Sequence, residues 1–198
     1  MLFRSIARDA AFCFLYDANL LALEALGATL VFMSPLVDAS LPECDAVWLP
    51  GGYPELHADA LAKNTRFRDS LRAHAARGQP LWAECGGMMC LFDSLVTVDG
   101  VEHSMWGLFS GRVVMQDRLM ALGPQEMPLQ QGRLRGHTYH HSRCETARTP
   151  AAHTRAASGT ARGEAIYVAG NVRGSYFHAY FDSNLPAAAR LFLPGVIL

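Results

Sequence analysis

A cysteine that follows a short apolar segment and precedes two glycines is the residue of this sequence best suited to chemistry. Cys85 lies in the run AECGG at positions 83–87. This order predicts a strand, a tight turn and a helix, with the thiol at the turn as in a nucleophile elbow. A helix N-terminus lowers the pKa of a thiol and offers free N–H groups to an oxyanion. We therefore interpret Cys85 as a nucleophile rather than as a small buried core residue, which is the more common role of cysteine.

A cysteine nucleophile needs a base within hydrogen-bond distance, and the sequence contains eight histidines. His178 is the ionisable residue of the aromatic, strand-like run GSYFHAYF at positions 174–181. Such a residue is either a core histidine with satisfied hydrogen bonds or a base placed beside the thiol, and spacing alone leaves both open. His57 and His74 fall on a long amphipathic segment and are expected at the surface.

Three further histidines, His137, His140 and His141, lie in the strand-like run RGHTYHHS at positions 135–142. Alternation along a strand would place His137 and His141 on one face and His140 on the other. Two histidines without a located carboxylate are too few ligands for a metal site, which is the less favoured interpretation. We predict instead that this polar strand shapes a substrate cleft and that the domain has no metal site.

A second glycine pair ends another apolar segment, in the run LPGGYPE at positions 49–55. Backbone N–H groups at Gly51 and Gly52 would then be exposed at the carboxyl edge of a parallel sheet, where open α/β folds bind ligands. An ordinary glycine turn is the alternative. The sequence has no G-x-x-x-x-G-K-[ST] phosphate loop, so any ATP-dependent step is expected to use another domain or chain.

The elements that must position these residues alternate in type over the first two-thirds of the chain. Strand-like and helix-like segments follow one another, and a helix over 86–95 follows the cysteine. This rhythm predicts an α/β fold with a mostly parallel central sheet flanked by helices. The predicted strands are 2–7, 28–33, 46–49 and 80–83, and the predicted helices are 17–27 and 54–77, the latter with a potential break at Asn64 and Thr65.

The last third of the chain has extended segments with little helix between them, at 108–115, 134–142, 165–168 and 174–181. They predict added, partly antiparallel strands. Residues 143–163, rich in Ala, Thr, Arg and Gly, are expected to form an exposed loop, and residues 185–193 a terminal helix. We predict a single domain over residues 1–198.

Composition limits the partners and the compartment. The chain has 198 residues, of which 51% are hydrophobic and 18% charged, and its formal net charge is −1. These values suit one globular domain and indicate no nucleic-acid partner. There is neither an apolar run near 18 residues nor a signal-peptide pattern, so we expect no membrane partner. Five scattered cysteines without C-x-x-C spacing fit a reducing cytoplasm.

Taken together, these motifs resemble the C-terminal glutamine amidotransferase domain of the cobyrinate or hydrogenobyrinate a,c-diamide synthase family. The resemblance covers nearly the whole chain, in the runs ARDAAFCF (7–14), FMSPL (32–36), GGYPE (51–55), AECGGMM (83–89), RGH (135–137) and SYFH (175–178). It implies a class I glutamine amidotransferase (flavodoxin-like) fold, with Cys85 as nucleophile and His178 as base. It places the oxyanion and glutamine contacts at Gly51, Gly52, Gly86, Ser175 and Tyr176.

The resemblance also implies partners. The parent enzymes use ATP, Mg²⁺ and glutamine-derived ammonia to amidate the a and c carboxylates of a corrinoid acceptor. Glutamine would bind this domain, the corrinoid would be reached through a synthetase domain or chain, and ATP and Mg²⁺ would belong to that synthetase, with no cofactor in this domain. A homodimer is left open. The alternatives are another acceptor, as in cobyric acid synthase or lipid II amidation, or a non-catalytic domain that binds a corrinoid or a protein partner.

This sequence departs from the family pattern in three respects. Tyr180 stands two residues after His178, where class I amidotransferases carry a carboxylate. The third catalytic group is therefore open among Asp9, Glu84 and Asp182, or the two residues act as a dyad. Thr138 stands where the family often has Glu. We also expect that the ATP-binding synthetase domain of the family is not part of this chain.

Overall fold

Four parallel strands from the first half of the chain form the part of the sheet that carries the cysteine. In the computed structural model, which describes residues 2–157 and 161–195, these strands lie in the order β2-β1-β3-β4. All residues of β3 and β4 are buried, as is typical of parallel strands covered on both faces. The predicted strands are confirmed, with bounds of β1 Leu2–Ala7, β2 Ala28–Met33, β3 Ala46–Leu49 and β4 Leu81–Glu84.

The helices that cover this part of the sheet follow the predicted pattern, including its break. Asn64 separates two helices because its Oδ1 accepts a hydrogen bond from the Phe67 N–H at 3.3 Å and caps the second helix. Its Nδ2 donates to the carbonyl oxygens of Pro35 and Asp38, so one side chain holds three segments together. The elements are α1 Asp17–Ala25, a 3-10 helix Pro54–His57, α2 Ala58–Lys63 and α3 Thr65–Ala76.

The predicted helix over 86–95 is wrong beyond its first turn. α4 covers only Gly86–Met89, and β5 begins at Phe92. Phe92 and Leu95 are fully buried, and β5 pairs in parallel with β7, so tertiary pairing overrides the helical pattern. β5 belongs to a second sheet, formed by β5 Phe92–Val96, β6 Glu102–Ser104, β7 Phe109–Met115 and β10 Ser142–Glu145.

The last third of the chain extends the main sheet beyond β4, which confirms the predicted additional strands. β13 pairs in parallel with β4, and the other pairings in this part, among the described residues, are antiparallel. The predicted segment 174–181 spans parts of two strands with Tyr176 between them. The strands are β8 Ala121–Leu129, β9 Gly132–His140, β11 Ala152–Ala156, β12 Arg162–Ala169, β13 Val172–Ser175 and β14 Phe177–Tyr180, followed by a 3-10 helix Phe181–Ser183 and α5 Leu185–Leu191.

The predicted loop over 143–163 is wrong in part, because β10, β11 and the start of β12 lie in it. Residues 158–160 of this segment lie outside the described residues. β11 has the short side chains of Ala152, Thr154 and Ala156 and only one fully buried residue, so its apolar alternation is weak. Pairing with β8 and β12 supplies the hydrogen bonds that make it a strand.

The apolar core lies on both faces of the main sheet. Val47 and Leu49 belong to one cluster of buried side chains and Trp48 to the other, as expected for successive residues of a strand. The first cluster continues through Met88 and Trp106 under the second sheet. None of the helices formed by residues 2–157 and 161–195 combines the length and the apolar composition needed to cross a lipid bilayer.

Candidate active site

Cys85 lies at the turn between β4 and α4, as predicted. Its φ of 45° and ψ of −110° make it the one described non-glycine residue with a positive φ. Such a conformation costs on the order of 1–3 kcal/mol and persists only where the surroundings hold it. Here the Cys85 N–H donates to the Ser175 carbonyl oxygen at 2.8 Å, and its carbonyl accepts from the Met89 N–H at 2.9 Å. The end of β13 therefore holds the strained turn.

Glycine is required where the two glycine pairs meet beside this turn. A Cβ at Gly86 would lie 2.7 Å from Pro54 Cδ and 3.1 Å from the Gly52 nitrogen. A Cβ at Gly52 would lie 2.2 Å from the Ala11 carbonyl oxygen. Gly86 is the first residue of α4, and the N–H of a first helical residue has no partner within its helix. The structure thus brings the backbone of Gly52 and Gly86 together next to Cys85.

The thiol of Cys85 is protonated at neutral pH in this structure. The residue is 5% exposed, and its Sγ donates to the Tyr139 carbonyl oxygen at 3.7 Å. Burial, reinforced by the charges of Glu55, Glu84 and Glu164, raises the pKa of Cys85 to about 12, and only the Gly86 N–H opposes this. This rise in the pKa of Cys85 is opposite to the lowering expected from the helix N-terminus. Desolvation outweighs the effect of the helix because α4 is only four residues long.

His178 lies on β14, directly opposite His137 of β9. The two imidazole rings stack with centroids 4.9 Å apart, and His178 is 2% exposed. Burial, followed by the charges of His137 and His140, lowers the pKa of His178 to about 3, so the ring is neutral and can accept a proton. Among the described residues, its Nδ1 has no hydrogen-bond partner.

The ring of His178 packs against the predicted glycine loop. A Cβ at Gly51 would lie 2.4 Å from Cε1 of His178, so only glycine leaves room for this ring. Phe14 lines the same cavity as Cys85, and its ring centroid is 6.0 Å from that of His178. The two predicted catalytic residues therefore lie in one region at the carboxyl ends of β3 and β4. In this structure the hydrogen bond of the thiol goes to Tyr139.

The three candidates for a third catalytic group have different environments. Glu84 is 1% exposed and lies beside β14, with Oε1 accepting from Trp82 Nε1 at 2.7 Å and from the Ala179 N–H at 3.3 Å. Burial raises the pKa of Glu84 to about 8. The carboxylate of Asp9 instead accepts four hydrogen bonds within the loops around it, and exposed Asp182 accepts from the Tyr180 hydroxyl. Glu84 is thus the candidate bonded to the residue that follows His178.

A cavity beside Cys85, called here the thiol cavity, is formed by the glycine loop, α4 and the histidine-rich strand. His140 and His141 line it together with Tyr139 and Ser142, in agreement with the predicted cleft-shaping role of this strand. Ser175 does not line it and instead accepts from the Phe177 N–H. The full lining is Phe14, Gly52, Tyr53, Glu55, Cys85, Met89, Met115, Tyr139, His140, His141 and Ser142.

A buried polar network supports the thiol cavity. His140 Nδ1 donates to the Ser142 carbonyl oxygen at 2.8 Å, and its Nε2 lies 3.2 Å from Glu164 Oε1. Thr138 Oγ1 donates to the same carboxylate oxygen at 2.8 Å. The ring of Tyr176 stacks on His140 with centroids 3.6 Å apart. Tyr176 therefore holds a lining residue in place rather than lining the cavity itself.

Glu164 supplies a carboxylate beside Thr138, the position at which the resemblance led us to expect Glu. Glu164 was not predicted as a site residue because it lies between the predicted loop over 143–163 and the predicted strand over 165–168, and it meets Thr138 only through the order of strands β9, β8, β11 and β12. Among the described residues, no group of three or more His, Cys, Asp and Glu side chains is placed to hold a metal ion. His137 stacks on His178, whereas His141 contacts the Tyr139 hydroxyl.

Comparison with known proteins agrees with this geometry. The CobB/CobQ-like glutamine amidotransferase domain family matches residues 5–186. The chain belongs to this family. Its amidotransferase fold is also seen in solved structures, including a glutamine amidotransferase (TM-score 0.63, 17% identity, 96% of this chain and 97% of that one). The PurLQS structure from Thermotoga maritima matches with a TM-score of 0.58 and 15% identity over 90% of this chain and 88% of that one.

Curated relatives of this amidotransferase domain are considerably longer. The chain is 49% identical over 193 residues to the cobyrinate a,c-diamide synthase of Herminiimonas arsenicoxydans, covering 97% of this chain and 44% of that protein. It is 49% identical over 190 residues to the hydrogenobyrinate a,c-diamide synthase of Pseudomonas aeruginosa, covering 96% and 44%. The chain thus spans less than half the length of these relatives, and the family predicted from its motifs is confirmed.

Proposed function

We propose that this amidotransferase domain hydrolyses glutamine at Cys85 and supplies ammonia for the amidation of the a and c carboxylates of cobyrinate or hydrogenobyrinate. The observation that carries the proposal is the conformation of Cys85, a strained residue held between β4 and α4 beside the backbone of Gly52 and Gly86. The names of the 49% identical relatives support this acceptor over those of cobyric acid synthase or of lipid II amidation.

The proposed reaction has two stages. The Cys85 sulfur attacks the side-chain amide carbon of glutamine, its proton passes to the imidazole of His178, and the Gly52 and Gly86 N–H groups bind the oxyanion. The imidazole then returns the proton to the leaving nitrogen, and ammonia departs from a glutamyl thioester. A water molecule, deprotonated by His178, hydrolyses the thioester to glutamate and restores the thiol.

The protonation states of Cys85 and His178 in the free domain favour slow glutamine hydrolysis. With a thiol pKa of about 12 and an imidazole pKa of about 3, the neutral pair is strongly favoured over the thiolate–imidazolium pair. Substrate or a synthetase partner must therefore change the surroundings of the thiol before attack. We propose that ATP and Mg²⁺ bind to that synthetase, which is consistent with relatives more than twice as long as this chain.

Covalent labelling with a glutamine-analogue diazoketone tests the assignment of the nucleophile. We expect a single adduct on the peptide that contains Cys85, and glutamate release that increases when a synthetase partner and ATP are added. Cys85→Ala should abolish the adduct, while Cys13→Ala is the matched control, because Cys13 is an exposed free cysteine. An adduct that persists in Cys85→Ala would contradict the proposal.

A further inference from the structure

The carboxylate of Glu55 lines the thiol cavity but has no role in the reaction proposed above. It lies in the first turn of the 3-10 helix that follows the glycine loop, and it lines the cavity together with Cys85 and His141. Among the described residues it forms no ion pair with a lysine, arginine or histidine side chain. Its carboxylate is half-buried, so solvent compensates its charge only in part.

The charge of Glu55 disfavours ionisation of the Cys85 thiol in the free domain. After burial, Glu55 is the first contributor that raises the pKa of Cys85, and it has the same effect on Cys90. Burial also raises the pKa of Glu55 itself, opposed by its own backbone N–H and by His57 and His141. An uncompensated carboxylate beside a thiol that must ionise is unfavourable unless a cation joins it during the reaction.

Glutamine brings such a cation. Its α-ammonium group stands at the far end of a short, flexible side chain from the amide carbon that Cys85 would attack. Cys85 and Glu55 line the same cavity, so a glutamine bound there with its amide at the sulfur would carry its ammonium group towards the carboxylate. A substrate ammonium that pairs with this carboxylate would cancel its effect on the sulfur and add positive charge nearby.

We propose that Glu55 binds the α-ammonium group of glutamine and that the bound substrate thereby promotes ionisation of Cys85. This inference rests on the proposed function and adds the residue that recognises the amino-acid end of the substrate. The proposal predicts two opposite effects of removing the carboxylate, which a purely structural role of Glu55 would not produce. Loss of the carboxylate makes the free thiol more reactive, and the same loss makes the site less selective for amino acids.

The experiment compares three electrophiles on this chain. Iodoacetamide reports intrinsic thiol reactivity, the glutamine-analogue diazoketone carries the α-ammonium group, and the same diazoketone with hydrogen in place of the α-amino group does not. We expect wild type to prefer the ammonium-bearing diazoketone by about 10- to 100-fold, the range of a hydrogen bond to a charged group. In Glu55→Gln this preference should fall to near unity, while alkylation of Cys85 by iodoacetamide becomes several-fold faster at the same pH.

Two further variants make the result specific. Glu55→Asp keeps the charge on a shorter side chain and should retain part of the preference, while Glu43→Gln removes an exposed carboxylate in the loop before β3 and should behave as wild type. Equal preference in wild type and Glu55→Gln, with both folded by circular dichroism, would overturn this inference alone. Absence of any Cys85 adduct in wild type would instead overturn the proposed function.

Discussion

Replacement of Glu84 by glutamine should change how the stability of the domain depends on pH. Glu84 is fully buried, and its pKa rises from 4.5 to about 8 on folding because burial disfavours the charged form. Above pH 4.5 the unfolded chain releases this proton, whereas the folded domain keeps it until about pH 8. Each rise in pH within this window therefore stabilises the unfolded state relative to the folded state. The contribution of Glu84 to the free energy of unfolding becomes steadily less favourable.

The size of the effect follows from the window. Each pH unit between the two pKa values costs about 1.4 kcal/mol, so the loss between pH 5.5 and 7.5 is about 3 kcal/mol. Glutamine does not ionise, and its carbonyl oxygen can still accept from Trp82 Nε1 and the Ala179 N–H. The free energy of unfolding of Glu84→Gln, relative to wild type, should therefore increase by about 3 kcal/mol over this range.

Urea denaturation of both proteins at pH 5.5, 6.5 and 7.5 measures this difference. Comparison at each pH cancels the contributions of all other titrating groups, including His178, because both proteins contain them. Asp182→Asn, which removes an exposed carboxyl group near the same end of β14, is the matched control. A difference between Glu84→Gln and wild type that stays constant across the range would refute the assignment of Glu84 as a neutral buried acid.

Three further predictions concern the site. Gly51→Ala places a Cβ 2.4 Å from His178 Cε1, so diazoketone labelling of Cys85 should fall at least 10-fold while the domain still folds by circular dichroism. Cys85→Gly removes the penalty of a positive φ and should raise the free energy of unfolding by about 1 kcal/mol, measured by urea denaturation, while abolishing labelling. The lowered pKa of His178 contributes stability that is present above the unfolded value of 6.5 and is lost as pH falls towards 3. Between pH 6.5 and 5 the free energy of unfolding of His178→Asn should therefore fall by about 2 kcal/mol less than that of wild type. An equal fall in the two proteins would contradict this.

The central strands and the position of Cys85 could be predicted because their signals are local. Apolar runs bounded by glycine or proline define β3 and β4, and the glycines after Cys85 require the tight turn. The helix over 86–95 was wrong because Phe92 and Leu95 fit both a helical stripe and a strand, and the pairing partner β7 lies well beyond the local sequence.

Residues whose roles depend on distant contacts could not be predicted in the same way. His74 lies on α3 as expected but is fully buried, because its Nε2 bonds to the Pro80 carbonyl oxygen beside β4. Glu164 joins the site only through strand order. Glu55 follows the glycine loop that the sequence analysis identified, yet its significance depends on the shared cavity with Cys85.

The most direct test of the central claim is mass spectrometry of the chain quenched in acid during glutamine turnover with a synthetase partner and ATP. We predict a glutamyl thioester on the peptide that contains Cys85, absent from Cys85→Ala, which should also form no glutamate. Glutamate formation by Cys85→Ala at the wild-type rate would contradict the account.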